Sequence, residues 1–222
     1  MPWKICGFLK IHHGCFRLVP DNLLVIGGTG FIGRNLSLEA LRVGYKVVVL
    51  SLNTPSLEKI IKNIEYLQVD IVCLDELKEK LANYDFDYIV NLSGYVDHSN
   101  FSDGGKRALD VHFGGVQNIL QSVNLKSLKR FVQIGSSDEY GGAHAPQDEN
   151  MRESPISPYS LGKTASTQLL QMLYRAEGIP TVILRLFLVY GPGQENNRFI
   201  PQVINGCLAS ANFPTSSGNQ LR

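Results

Sequence analysis

Residues 23–33 read LLVIGGTGFIG, and the fold follows from how this stretch is read. Four apolar residues at 23–26 run directly into glycines, the pattern of a strand buried on both faces. Gly27, Gly30 and Gly33 sit where that strand turns into a helix. One glycine permits the tight turn, one lets the backbone approach a pyrophosphate, and one lets the new helix pack close to its strand. Such a helix aims its free N–H groups and the positive end of its dipole at phosphate. The loop therefore nominates Gly27, Thr29, Gly30, Phe31, Ile32 and Gly33 as dinucleotide-binding residues, with Arg34 just beyond.

Outward from the loop, apolar runs alternate with helical periodicity. Strands are expected at 23–26, 46–50, 64–69, 88–92, 130–134 and 180–184, and helices at 31–43, 56–63, 74–81, 108–123 and 159–177, with a further helical stretch at 198–209. Ser56 is a plausible cap for the second helix. Strands separated by helices build βαβ units, whose right-handed crossovers give a parallel sheet with helices on both faces. Residues 141–158 are rich in Gly, Pro, Asn and acids and read as a long loop, the kind that carries function in a small domain.

Composition excludes several classes. With 44% hydrophobic and 18% charged residues the 222-residue chain has enough apolar mass for one packed α/β domain. Lys plus Arg is 21 against 20 for Asp plus Glu, which argues against a nucleic-acid partner held by phosphate contacts. No apolar run is long enough to span a bilayer, so no membrane partner is expected. Cys6, Cys15, Cys73 and Cys207 are scattered, without a C-x-x-C pair. Reduced thiols in a cytoplasmic protein are the expectation, and no metal site, the proximity of Cys15 to His12 and His13 notwithstanding. Residues 1–21 lack the pattern of a secretory signal.

The end of the second strand commonly supplies an acid for the adenosine ribose. Ser51 stands there, followed by Leu52 and Asn53. A preference between NAD and NADP is therefore open, and Arg34 is either a ribose-phosphate ligand or an exposed helix residue. Asp70 and Ile71, after the third strand, are placed to meet adenine by hydrogen bond and by packing, or to cap a turn.

Residues 159–163 read YSLGK, so Tyr159 and Lys163 share one helix face. A free tyrosine, with a pKa of roughly 10, is a poor base at neutral pH. A neighbouring ammonium favours its phenolate, and Lys163 is also able to bond a nicotinamide ribose. The fifth strand ends in GSSDEYG at 135–141, where a hydroxyl can share a substrate oxygen with the tyrosine. Ligands of open α/β sheets bind at this carboxyl edge.

Together the motifs GGTGFIG at 27–33, VDI at 69–71, NLSG at 91–94, GSSDEYG at 135–141, SPYSLGK at 157–163 and LRLFLVYGPGQ at 184–194 resemble the extended short-chain dehydrogenase/reductases, and among them the nucleotide-sugar epimerases and dehydratases. The resemblance covers residues 22–222. It implies a doubly wound parallel sheet, the Rossmann fold, at 22–185, preceded by an N-terminal extension at 1–21. Residues 186–222 then begin a smaller, truncated substrate-binding lobe, as expected of a fragment or of a protein with a reduced lobe. It implies NAD or NADP as cofactor, a nucleotide sugar as substrate, and a homodimer paired through helices 108–123 and 159–177.

By the same likeness Tyr159 is the acid/base, Lys163 its partner and ribose anchor, and Leu92, Ser93 and Gly94 lie beside the cofactor. Ser136 takes the active-site hydroxyl position when the strand start and Tyr140-Gly141 are aligned without a gap; aligning on the acids gives it to Ser137. The implied chemistry is proton removal from a sugar hydroxyl at C4 with hydride transfer to the nicotinamide, giving a 4-keto sugar. Epimerisation, loss of water across C5–C6 or release would follow, and the reverse direction is a 4-ketosugar reductase. A catalytically impaired, cofactor-binding fragment is the other alternative. Asp138 and Glu139 are candidate acid and base for an elimination, or else loop-facing or capping residues. Departures from the family pattern are Ser51 for an Asp, Ser93-Gly94 for a small apolar pair, His112 for a helix Asn that supports a proton relay, and Leu188 for a polar residue.

Overall fold

Alternate residues of the first two strands point to opposite sides of one sheet, and that alternation sets the architecture. The computed structural model describes residues 19–211 and residue 217. Cys6, Cys15, His12 and His13 lie outside them. The strands are β1 (Asn22–Ile26), β2 (Lys46–Ser51), β3 (Glu65–Gln68), β4 (Tyr88–Asn91), β5 (Arg130–Ser136) and β6 (Thr181–Leu186). All pair in parallel, in the order β3-β2-β1-β4-β5-β6. The order reverses between β1 and β4, so a crevice opens at their carboxyl ends, where ligands of such sheets bind. This is the doubly wound sheet expected from the sequence.

The helices are α1 (Phe31–Arg42), α2 (Leu74–Leu81), α3 (residues 106–122), α4 (Pro158–Glu177) and α5 (Phe199–Ala209). On one face Leu24, Ile26, Val48, Leu50, Ile89 and Phe131 pack beneath α2, α3 and α4 through Leu77, Leu81, Val116, Ile119 and Leu170. On the other, Leu23, Val25, Val47 and Val49 pack beneath Ala40 of α1.

Two elements differ from the sequence expectation. The helix expected at 56–63 is a single 3-10 turn, Leu57–Lys59, with no buried residue, and Ser56 makes no side-chain cap. Leu57 and Ile60 both face solvent, so the segment has no apolar stripe to hold a longer helix against the sheet. The helix expected at 108–123 begins earlier and contains a π-helical turn, Asp110–Gly114, between α-helical halves. At α4 the Ser157 side chain caps the helix, accepting from Ser160 N at 3.1 Å, with Pro158 at the first position.

The core assignment predicts that Phe131→Ala lowers unfolding free energy by about 3–5 kcal/mol. Leu57→Ala, at an 88% exposed site, changes it by less than about 0.5 kcal/mol. Urea titrations of the two variants check this.

Candidate functional site at the carboxyl edge of the sheet

The glycine loop is held by backbone. Gly27 N donates to Leu50 O at 2.7 Å and Gly30 N to Gly27 O at 3.1 Å. Gly27 has φ +77°, and a Cβ there would stand 2.9 Å from the backbone of Leu92 and Ser93. A Cβ on Gly33 would lie 2.5 Å from Gly27 O, so α1 could not start this close to the loop with any larger residue. No side chain caps α1 and no acid occupies its first turn. The leading N–H groups of that helix, from Phe31 onward, are thus available to an anion.

Around the expected adenosine side the residues are already engaged. Ser51 is buried and its Oγ accepts from Thr29 N at 3.3 Å, bracing the loop. Arg34 Nη1 donates to Lys59 O at 2.7 Å, which draws its guanidinium onto the 3-10 turn. Asp70 accepts from Val72 N at 3.1 Å and pairs with Arg107 of α3 at 2.6 Å, the turn-capping alternative. Ile71 is buried in the core, with its side chain against Gly115 of α3. Ser93 N and Oγ both reach Asn91 Oδ1, at 3.1 and 2.6 Å, while Leu92 and Gly94 flank it on the crevice side of β4.

From Ser93 a buried polar seam crosses the strand ends. Asn91 Nδ2 donates to Gln133 Oε1 at 2.9 Å, Gln133 Nε2 to Ile134 O at 3.2 Å, and Lys163 Nζ to the same carbonyl at 2.8 Å. Asn91 and Gln133 are polar residues inside otherwise apolar strands, and that interruption was the sequence signal for them. The Lys163 ammonium lies 5.9 Å from the Tyr159 ring centre. Burial pulls Lys163 down to about 8, and the Glu139 charge opposes that fall.

Of the two strand-end hydroxyls, that of Ser136 acts on the Tyr159 phenol, favouring its ionised form. Burial raises the Tyr159 pKa above its ordinary value, the Ser136 bond opposes this, and the charges of Asp138 and Glu139 add to it. The two acids part company: Asp138 is exposed, whereas Glu139 is wholly buried and paired with Arg185. Glu139 is therefore no acid or base for a bound substrate.

Two histidines flank the phenol. His98, which sequence reasoning missed, lies on the exposed β4–α3 loop with its ring centre 5.2 Å from that of Tyr159. His112, in the π-helical turn, meets Tyr159 edge-on at 4.9 Å. The π turn breaks the regular ladder of α3, and the His112 carbonyl accepts from Ser166 Oγ of α4. His112 Nε2 sits 3.1 Å from Tyr95 O and 3.3 Å from Tyr95 N, pinning the loop that carries His98. Burial, then the Lys163 charge, push His112 down to about 3, the Tyr95 bond opposing. In this state it is a neutral clamp on the Tyr95 backbone.

That burial has a stability consequence. Between pH 6.5 and about 3 the unfolded chain binds a proton at His112 that the folded chain refuses, so stability falls as pH falls through this window. Denaturant melts at pH 7 and pH 4.5 should show wild type losing about 2 kcal/mol more than His112→Asn, which carries no titrating ring. Equal losses would place the proton elsewhere.

Among the described residues no helix is long and apolar enough to cross a membrane. Residues 23–222 match the model of the NAD dependent epimerase/dehydratase family. A dTDP-glucose 4,6-dehydratase of Neisseria gonorrhoeae is 28% identical, over 90% of this chain and 64% of its own. Among solved structures, the UDP-glucose 4-epimerase of Thermotoga maritima, determined with UDP-glucose, superposes with a TM-score of 0.72 at 25% identity, over 80% of this chain and 59% of its own. The UDP-N-acetylglucosamine 4-epimerase of Methanobrevibacter ruminantium, in complex with UDP-N-acetylmuramic acid, gives 0.74 at 25% identity, over 86% and 64%. The chain thus spans less than two thirds of the length of these relatives. By its glycine loop, its sheet order and the extent of the match, the chain belongs to the NAD dependent epimerase/dehydratase family.

Proposed function

We propose that the chain is the dinucleotide-binding and catalytic part of an NAD(P)-dependent enzyme that oxidises or reduces C4 of a nucleotide-activated hexose. The observation that carries this reading is the clustering of Ser136, Tyr159 and Lys163 at one sheet edge, with the lysine fixed on the Ile134 carbonyl. The loop at 27–33 fits a pyrophosphate, since Gly27 and Gly33 let the turn close tightly on the protein's own backbone and α1 opens with neither a side-chain cap nor an acid in its first turn. When bound, the nicotinamide cofactor supplies the hydride acceptor and donor. NAD suits the family, and Arg34, engaged with Lys59 O, offers no dedicated fork for a ribose phosphate.

The rest of the chemistry falls to the protein. Ser136 holds the substrate hydroxyl at C4 by hydrogen bond, and the Tyr159 phenolate removes its proton. The Lys163 ammonium stabilises that phenolate and bonds the ribose of the cofactor. Because burial raises the Tyr159 pKa, this stabilisation is needed for a base active near neutral pH. Asp138, exposed beside the phenol, is the acid left on the crevice side for any elimination. Residues 186–222 form the beginning of the substrate lobe, on which Phe187, Leu188, Tyr190, Phe199, Ile204 and Leu208 are exposed.

Those exposed apolar residues favour a second reading: cofactor binding without turnover. The two separate cleanly. With NAD⁺ and a panel of UDP- and dTDP-hexoses, Tyr159→Phe should reduce turnover at least ~100-fold while NAD⁺ affinity stays within about threefold. A wild-type protein that binds NAD⁺ and turns over no sugar nucleotide establishes the second reading.

We also propose a homodimer through α3 and α4. Leu161 and Met172, three turns apart on one face of α4, are 47% and 46% exposed. Sedimentation should give a dimer, and the double change Leu161→Asp with Met172→Asp should give a monomer. A monomeric wild type removes the proposal.

A further inference from the structure

Glu139 is fully buried and absorbed by no step above. It stands on the 3-10 turn Ser137–Tyr140 that follows β5. One carboxylate oxygen accepts from Ser136 N at 2.9 Å. The other accepts from Thr167 Oγ1 at 2.8 Å and from Arg185 Nε at 3.0 Å. A Cβ on Gly135 would come within 2.4 Å of Oε1, so the carboxylate occupies the space that glycine leaves. Thr167 lies one helical turn beyond Lys163 on the buried face of α4, and Lys163 itself bonds Ile134 O. The carboxylate is thus wedged between the last residues of β5 and the stretch of α4 that carries the lysine.

The charges around it explain why an acid is there. Arg185 comes from β6 and also reaches Glu153 of the long loop and the Tyr140 hydroxyl at 3.2 Å. Burial works against the guanidinium, and its bonds to Tyr140, Glu139 and Glu153 outweigh that, holding it above its ordinary pKa. Lys163 and Tyr159 approach from α4, His112 from α3, and Asp138 from the turn itself, exposed. His112 is neutral above pH ~4, as is the phenol below its raised pKa. The cations here are Arg185 and Lys163, and the anions Glu139 and, half-buried, Glu153. Both carboxylates pair with Arg185. Lys163 Nζ bonds Ile134 O and the Glu139 carboxylate bonds Ser136 N two residues on, so ammonium and carboxylate are held on the same strand end. A buried pair is costly to break, because removing one partner strands the other charge.

Resting on the catalytic reading of Ser136 and Lys163, we propose that Glu139 is the positioning residue of the site: its carboxylate fixes the Ser136 backbone and is a buried anion that the Lys163 ammonium shares with Arg185. An ion pair serving only to bolt the turn to β6 would leave Lys163 indifferent to its loss.

The test reads Lys163 directly and needs neither cofactor nor turnover. The full chain is labelled with ¹³Cε-lysine, Lys163→Arg assigns the resonance, and wild type, Glu139→Gln and Glu139→Asp are titrated from pH 5 to 11, their folding checked by circular dichroism. The wild-type midpoint is expected near 8. In Glu139→Gln, which loses the charge and can accept on only one of the two sides, it should fall by about one pH unit or more. In Glu139→Asp, which keeps the charge, it should stay within about half a unit of wild type. A folded Glu139→Gln with an unshifted midpoint overturns the proposal, and so does an aspartate variant shifted as far as the glutamine one. If the glutamine variant does not fold, the wild-type and aspartate arms decide: a wild-type lysine already neutral at pH 6 overturns the proposal, and a charged one in both supports it. Tyr159→Phe turnover, measured separately, tests the catalytic reading. A full-rate phenylalanine variant beside a shifted lysine would sink that reading and spare this one.

Discussion

The carbonyl of Ile134 is the point on which the site depends. It is a backbone acceptor on β5, next to the sheet's switch-point crevice, and it takes hydrogen bonds from both Gln133 and Lys163. Through it a helix side chain is referenced to the sheet. An isolated ammonium at this depth would lose much of its hydration and gain nothing. Held on a carbonyl, with the Glu139 carboxylate nearby, it stays within reach of neutral pH and faces the Tyr159 ring. Bringing phenol, lysine and strand-end hydroxyl together is thus a consequence of how α4 docks on β5.

The docking has a structural price, borne by α3. Gly162 of α4 lies so close to α3 that a Cβ would stand 3.0 Å from His112 Cβ. At this contact α3 opens into its π turn, and Ser166 of α4 satisfies the freed His112 carbonyl. The imidazole then reaches across to the Tyr95 backbone. One helix–helix contact thereby shapes the wall beside Tyr159, the loop carrying His98, and the acid sensitivity of the fold.

Much of the sheet was legible because the interiors of β1 and β2 are apolar runs that the fold buries on two faces. Val47–Val49 and Leu23–Ile26 have no alternative role in a chain of this composition. The glycine loop was equally legible, since φ +77° at Gly27 and the contact at Gly33 admit few other residues. The segment at 56–63 misled because Leu57, Ile60 and Ile61 have helical spacing, and spacing alone does not say whether a partner surface exists. The π turn escaped because it alters backbone bonding while leaving the apolar periodicity of α3 nearly intact. Glu139 was legible as a capping residue, which it is, but its distant pairing was not: its partners Thr167 and Arg185 lie 28 and 46 residues away, and only the fold brings them to it. Ser51, Asp70 and Arg34 occupy positions with a known use, but each already has a hydrogen-bond partner within the protein.

The central claim is that the helix start at 30–33 and the Tyr159–Lys163 face open onto one crevice that takes a dinucleotide end to end. A crystal structure of the chain grown with NAD⁺ measures this most directly. The account predicts the pyrophosphate against the backbone N–H groups of Phe31 and Ile32, and the nicotinamide ribose within hydrogen-bond distance of both Lys163 Nζ and the Tyr159 hydroxyl. A dinucleotide bound elsewhere, or bound at the glycine loop with its nicotinamide end directed away from Tyr159, would contradict it.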